Sequence, residues 1–454
     1  ETQYSSFDNV VGENPEESKI VKELTGERTE NSKEFLLEDG TKMIAQYNEP
    51  VHYKDSKGKW VEYNNTLSED KTASPDEAGD SSYTNKSSDI SVNLSNKAKS
   101  KNMISLKSDG YKISWGYDNA GKSKADVKKN NEKTSGNDKF TTLKNITTET
   151  LYKGVFNDVD LQYFVTTTGI KENIILKSSK AQNEFTLNYK IPNLTAKQKD
   201  DKTITLSNKD GKEIYTISAP YMYDANGSSS TQMKIEIVKQ KGSNLQVTAD
   251  YAFIHTIGRA FPVTIDPEIT TTLKSDLTFY ENANGSVNSY GPYYTSKNSY
   301  AICTVNNLPK LENGEEVISA KYSFETENGS KLFADEGENP IIVNAHKLTS
   351  ASNGNVKYDS KVLDYDSLTY EDNRYLTFDL TSTFKGWYSD TNTKGFVIEA
   401  LDTVGSKKVV FKSYTKTSTK PALTLIYKDF TGTESNLSYH TINVGTNAQA
   451  AVSN

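Results

Sequence analysis

A side-chain period of two limits most what this chain can fold into. Leu376, Phe378 and Leu380 alternate with polar residues, as do Phe396, Ile398 and Ala400, and then Leu423, Leu425 and Tyr427. Successive side chains of an extended strand face opposite ways, so this pattern marks strands with one apolar and one polar face. It recurs from about residue 31 onward, punctuated by turn chemistry. Ser108-Asp109-Gly110 separates Ile104 and Leu106 from Ile113 and Trp115, and Asp210-Gly211 separates Ile204 and Leu206 from Ile214. Lys57-Gly58 stands between Tyr53 and Trp60, and Gly242-Ser243 between Ile237 and Leu245. Such pairs supply the positive φ that tight hairpin loops need. No long helical stripe competes with them. The chain is read as all-β, an N-terminal antiparallel β-sandwich region followed by a C-terminal β-jelly-roll sandwich.

Composition shifts and prolines divide it. Residues 1–30 are rich in acids and read as a flexible segment with one short helix, capped by Asn14-Pro15 and striped by Ile20, Val21 and Leu24. Residues 31–267 form the β-rich N-terminal region, interrupted by polar stretches at 68–102 and 118–138 that read as loops. Pro262 and Pro267 bracket a short strand and mark the junction. Residues 268–428 hold the jelly roll, and 429–454 read as a linker or tail.

The net charge of −7 comes with both signs interspersed, so no basic stripe draws nucleic acid or an anionic membrane. No run of 18 apolar residues exists to span a bilayer. The charged start ETQYSSFDNV is not a signal peptide, and the expectation is a chain that begins after a processed one. Cys303 is the single cysteine, which excludes an internal disulfide and a thiolate zinc site; its apolar neighbours predict a buried thiol.

Several stretches resemble one architecture. Asn288-Ser289-Tyr290-Gly291, Leu308-Pro309 with the strand Val317 to Phe324, Phe378-Asp379-Leu380-Thr381 with Trp387, and Lys420-Pro421 follow the order of the DNRLRE domain, a secreted jelly roll related to carbohydrate-binding modules. Asp372-Asn373-Arg374 matches its eponymous hexapeptide in part. GVFNDVDLQYFVTTTGIKENIIL and GRAFPVTIDP resemble the β-rich region preceding that domain in RHS or YD-repeat proteins of Gram-positive bacteria, and SYHTINVGTNAQAAVSN is similar to the segment leading into their repeats. The resemblance implies secretion, cell-wall association, a cell-surface polysaccharide as partner, and a downstream repeat region of the same polypeptide that carries a toxin.

Catalytic patterns are sparse. His52, His255, His346 and His440 are dispersed without HExxH spacing, and no GxSxG, P-loop or GxGxxG is present. The expectation is therefore a protein that is not an enzyme. His346 falls on the polar side of the alternation Ile341, Val343, Ala345 and is expected to be exposed. Asp335, Glu336 and Glu338 around Gly337, and the loop Asp224 to Ser228, are acidic turns that could hold a structural calcium. Sugar binding needs aromatic faces beside polar groups, and Tyr290, Tyr293 and Tyr294 form the densest aromatic loop; the same tyrosines would also serve as ordinary sandwich packing. Trp387 follows Phe384 on a short helix and is expected in the core. The expected function is a non-catalytic secreted surface module that binds cell-wall or other carbohydrate and precedes a repeat shell. The alternatives are a structural spacer or cap without ligand affinity, and a polysaccharide-active enzyme.

Overall fold

The hairpin loops form where the sequence places them. Asp109 and Gly110 have φ of 50° and 80°, the left-handed pair of a type I′ turn, and Tyr111 pairs with Ser108 across it. This computed structural model describes residues 18–453 apart from 72–80, 200–201, 220, 227–228, 231–232, 243, 251, 256, 272–276, 284–285, 289–292, 296–298, 306, 327–331, 353–354, 391–393, 402–408, 412–417, 430–437 and 445–446. The fold is all-β, and every strand pair among the described residues is antiparallel.

The first sandwich has two large sheets. One has eight strands, with Tyr111–Tyr117 between Ile104–Ser108 and Glu184–Lys190. The other has eleven, with Gly169–Leu176 near its centre, flanked by Val159–Val165 and Glu268–Thr271. Their facing side chains form one core around Trp115, Tyr152, Tyr163 and Tyr215, all buried.

The second sandwich has two six-stranded sheets. One runs in the order Ser286–Asn288, Leu277–Ala283, Ser299–Val305, Gly395–Ala400, Ile341–Ser352 and Asn355–Leu368. The other runs Ile20–Glu23, Ser32–Leu37, Lys42–Gln46, Leu423–Asp429, Glu315–Glu325 and Tyr375–Asp379. Between them Tyr322, Phe324, Phe378 and Phe396 pack with neighbouring ring centroids 4.8 to 6.1 Å apart. The helix Thr381–Trp387 drives Phe384 and Trp387 into the same core, as expected for Trp387.

The structure redraws the expected divisions in four places. Ile20–Glu23 is a strand paired with Ser32–Leu37, where a helix was expected; the β-branched pair Ile20-Val21 gains a ladder and Ile20 is buried. The rest of the expected helix, before residue 18, lies outside the described residues. Second, the polar stretches read as loops contain strands, Ser82–Ser87, Ser91–Ser95 and Ala125–Val127. Val92 and Leu94 alone supply the inward face of Ser91–Ser95, too short a pattern to stand out. Third, the hairpin of Ser32–Leu37 and Lys42–Gln46 joins the second sandwich, with Ile44 opposite Leu425, while Glu268–Thr271 stays in the first. Fourth, Ser438–Val444 and Asn447–Ser453 pair as a hairpin within the expected tail.

Candidate functional site

Strand register builds the site. In the sheet containing Ser299–Val305, the residues Ala301, Cys303, Val343, Ala345, Phe396, Ile398 and Ala400 face the core, and all are buried. Burial pushes the Cys303 thiol far above its ordinary pKa, so it is an inert core group. The residues between them face away from the core. Tyr300 stands opposite Glu399, Glu399 opposite Asn344, and Asn344 opposite Tyr365. Directly paired residues share a face, so these four form a row across four strands, spanning about 14 Å at ~4.8 Å per strand.

The neighbouring row is Ile302, Val397, His346 and Val362. Above both rows sits Tyr358, its ring 5.4 Å from that of Tyr300 and 5.3 Å from that of His346. Burial and the hydrogen bond with the Tyr300 hydroxyl push the Tyr358 phenol well above its ordinary pKa, so it stays a neutral donor. His346 Nδ1 lies 3.2 Å from the Asp359 carbonyl and Nε2 lies 3.4 Å from Glu399 Oε2. A ring nitrogen facing a carbonyl carries the proton, so Nδ1 donates to Asp359, and the buried Nε2 has no hydrogen-bond partner. Tyr365 is 66% exposed, and the Glu399 side chain is 21% exposed.

The far end of this face is held rigidly. Asp364 and Asp366 turn the other way and accept the Asp379 and Thr377 backbone N–H groups, each at 2.7 Å, on the edge strand of the opposite sheet. Chemically, the row offers two tyrosine platforms, a carboxylate and an amide between them, and a tyrosine–imidazole pair beside them. That is the inventory for packing on the C–H faces of a sugar while bonding its hydroxyls.

The expected site residues fall elsewhere. Tyr290 lies outside the described residues. Tyr293 and Tyr294 belong to the short strand Tyr293–Thr295, which pairs with Val409–Phe411. Val409 and Phe411 are core residues, so this backbone runs along the seam of the sandwich. Asp335 Oδ1 accepts the Gly337 N–H at 2.9 Å and Glu338 Oε1 accepts the Ala334 N–H at 2.6 Å, while Glu336 is exposed. Asp224 is committed to Arg259 at 2.9 Å and to the Asn226 N–H at 2.9 Å. Among the described residues no group of three or more His, Cys, Asp or Glu side chains could hold a metal ion.

His346 was expected to be exposed and is 4% exposed. Tyr358 covers it, because the long hairpin Ile341–Leu368 shifts register three times between Ala345 and Ser350. Those shifts bring Tyr358 opposite Leu348 and over His346, and no local sequence pattern announces them. Asn344 and Glu399 were legible as polar positions of clean alternations. Their meeting with Tyr300 and Tyr365 was not, since Ser299–Val305, Gly395–Ala400 and the hairpin Ile341–Leu368 are far apart in sequence, and the register shifts within the hairpin set which of its residues share a row.

No protein-family profile matches the chain. It is 25% identical to the tRNA nuclease WapA of Bacillus subtilis over 439 residues, covering 89% of this chain and 18% of that protein. A tRNA3(Ser)-specific nuclease WapA of Bacillus spizizenii is equally similar. A wall-associated protein of Geobacillus stearothermophilus is 27% identical over 206 residues, 45% of this chain and 75% of that protein. The chain thus spans about 18% of the length of its nuclease relatives. Among solved structures a heparinase III aligns over 54% of this chain and 40% of its own, with a TM-score of 0.27 and 10% identity, a level that carries no argument. The expected cell-wall association agrees with these relatives. The expectation of a protein that is not an enzyme is overturned by the nuclease names, and the charge argument against nucleic acid concerns this region alone. Among the described residues no helix is long and apolar enough to cross a membrane.

Proposed function

We propose that this chain is the surface-attachment region of a wall-associated protein, and that the outward face of its C-terminal sandwich binds a cell-surface polysaccharide. The row Tyr300, Glu399, Asn344 and Tyr365, with Tyr358 and His346 beside it, is the observation that carries the reading. A purely structural spacer would have no use for a buried histidine under a partly exposed tyrosine ring, next to a part-exposed glutamate, on the face turned from the core. On this reading the C-terminal sandwich is a DNRLRE-type jelly roll, and a downstream repeat region of the same polypeptide carries the toxin. The tRNA nuclease activity named for the relatives is proposed for the whole polypeptide, of which this region would be one part.

Cosedimentation with purified Gram-positive cell walls tests the face. The double variant Tyr300→Ala/Tyr365→Ala should bind roughly tenfold more weakly than the parent, as expected when two aromatic anchors are truncated. Undiminished binding would remove this face from the proposal. The variant Tyr290→Ala/Tyr293→Ala/Tyr294→Ala is the second arm, and a loss confined to it would move the contact to that loop.

A further inference from the structure

The two sheets of the first sandwich do not close everywhere. Between them lies a small cleft, partly open to solvent. Ile170, Ile174, Ile204 and Ile269 wall it, and Trp115 and Glu172 stand among them. Sandwich interiors pack at crystal-like density, so a gap here forfeits contacts on every wall. Its polar groups add to that cost.

Glu172 interrupts the inward set Ile170, Ile174 and Leu176, where the register calls for another aliphatic residue. Its Oε1 accepts the Tyr117 hydroxyl at 2.6 Å and the Tyr163 hydroxyl as well. Two donors on one oxygen leave Oε2 for a further partner. Burial raises the carboxyl above its ordinary range against the pull of both tyrosines, which favours the form with a proton to donate. Trp115 is 1% exposed, and its indole N–H has no hydrogen-bond partner. A buried donor left unmade costs about 1–3 kcal/mol. A wall of isoleucines with two donors among them suits a guest that is mostly apolar and carries one acceptor.

We propose that this cleft binds a small neutral acyl group, an amide or ester, whose carbonyl oxygen accepts from Trp115 and Glu172 while its alkyl chain lies on the isoleucines. The site is in the other sandwich from the polysaccharide face, so the two readings stand or fall separately.

Butyramide is the probe and butylamine, of similar length but cationic and without an acceptor carbonyl, its control. The chain has three tryptophans, so three indole N–H resonances report in a nitrogen-15 spectrum, with Trp60→Phe and Trp115→Phe assigning them. Butyramide should shift the Trp115 resonance saturably and leave the other two in place, and butylamine should shift none. Calorimetry should show Trp115→Phe weakening butyramide binding roughly tenfold, equivalent to about 1.4 kcal/mol, with Glu172→Gln, which keeps a donor, near the parent. An unmoved Trp115 resonance, or an equal shift with butylamine, overturns the proposal. The parent titration decides even if a variant fails to fold.

Discussion

Glu268 shows how far one residue's chemistry depends on neighbours distant in sequence. It stands opposite Lys171 in the eleven-stranded sheet, and Lys171 is paired with Asp266 at 2.8 Å. Burial pushes the Glu268 carboxyl up to about 7, with Lys171 opposing the shift and Asp266 adding to it. A folded-state value above the unfolded one means the native state binds the proton more tightly. Its contribution to stability is therefore full below about pH 4.5 and is lost as pH rises through about 7. Glu268→Gln should remove that loss, raising stability at about pH 8 by on the order of 3 kcal/mol while changing little near pH 4.5. Urea midpoints of parent and variant at the two pH values check this, and parallel curves would reject the assignment. His346 makes the same point in reverse: its sequence neighbours call for an exposed strand residue, and the ring of Tyr358 buries it.

Hairpins whose loops carry Asp-Gly or Gly-Ser were legible, because φ preferences act within the loop itself. The strands Ile104–Ser108 and Tyr111–Tyr117 form where their alternation predicts. Short polar strands such as Ala125–Val127 were not legible, since three residues make no pattern and a partner, Thr148–Phe156, supplies their hydrogen bonds. The face proposed for polysaccharide depends on one close strand approach. A Cβ at Gly395 would meet the Cys303 carbonyl oxygen at 2.3 Å and Leu348 Cδ2 at 2.8 Å, in the middle of the sheet that carries the tyrosine row. Gly395→Ala should cost about 1–3 kcal/mol, lowering the melting temperature and cell-wall binding together. Tyr365→Ala, on an exposed position, should lower binding and leave melting unchanged; a Gly395→Ala protein that melts like the parent would contradict the packing described.

At the scale of the whole molecule, the first strands complete the last sandwich. Lys42–Gln46 pairs with Leu423–Asp429, and Tyr427 donates to Glu34 at 2.5 Å across that seam. The stretch expected as loop and the residues after it clamp the two sandwiches. Leu143 and Thr419 exchange backbone hydrogen bonds at 2.8 and 2.9 Å, Lys420 meets Asp138 at 2.8 Å, and Asn130 bonds Ser418 at 2.6 Å. A piece holding residues 268–454 alone would expose Leu423–Asp429 as an unpaired edge, a template for aggregation. It should be soluble and cooperatively folded only when a peptide of residues 18–47 is supplied, which light scattering and thermal melts would follow; a stable monomer without the peptide would refute the shared sheet. The sequence by itself determined the β class, the tight turns and which side of each long strand is apolar, because those follow from local φ preferences and a period of two. The tertiary structure alone decided which strands are neighbours, and so brought Tyr300, Glu399, Asn344 and Tyr365 into one row and residues 20–46 into the last sheet. Pairing between distant strands is chosen by total burial and by the satisfaction of every edge, and no local stretch of chain contains those sums.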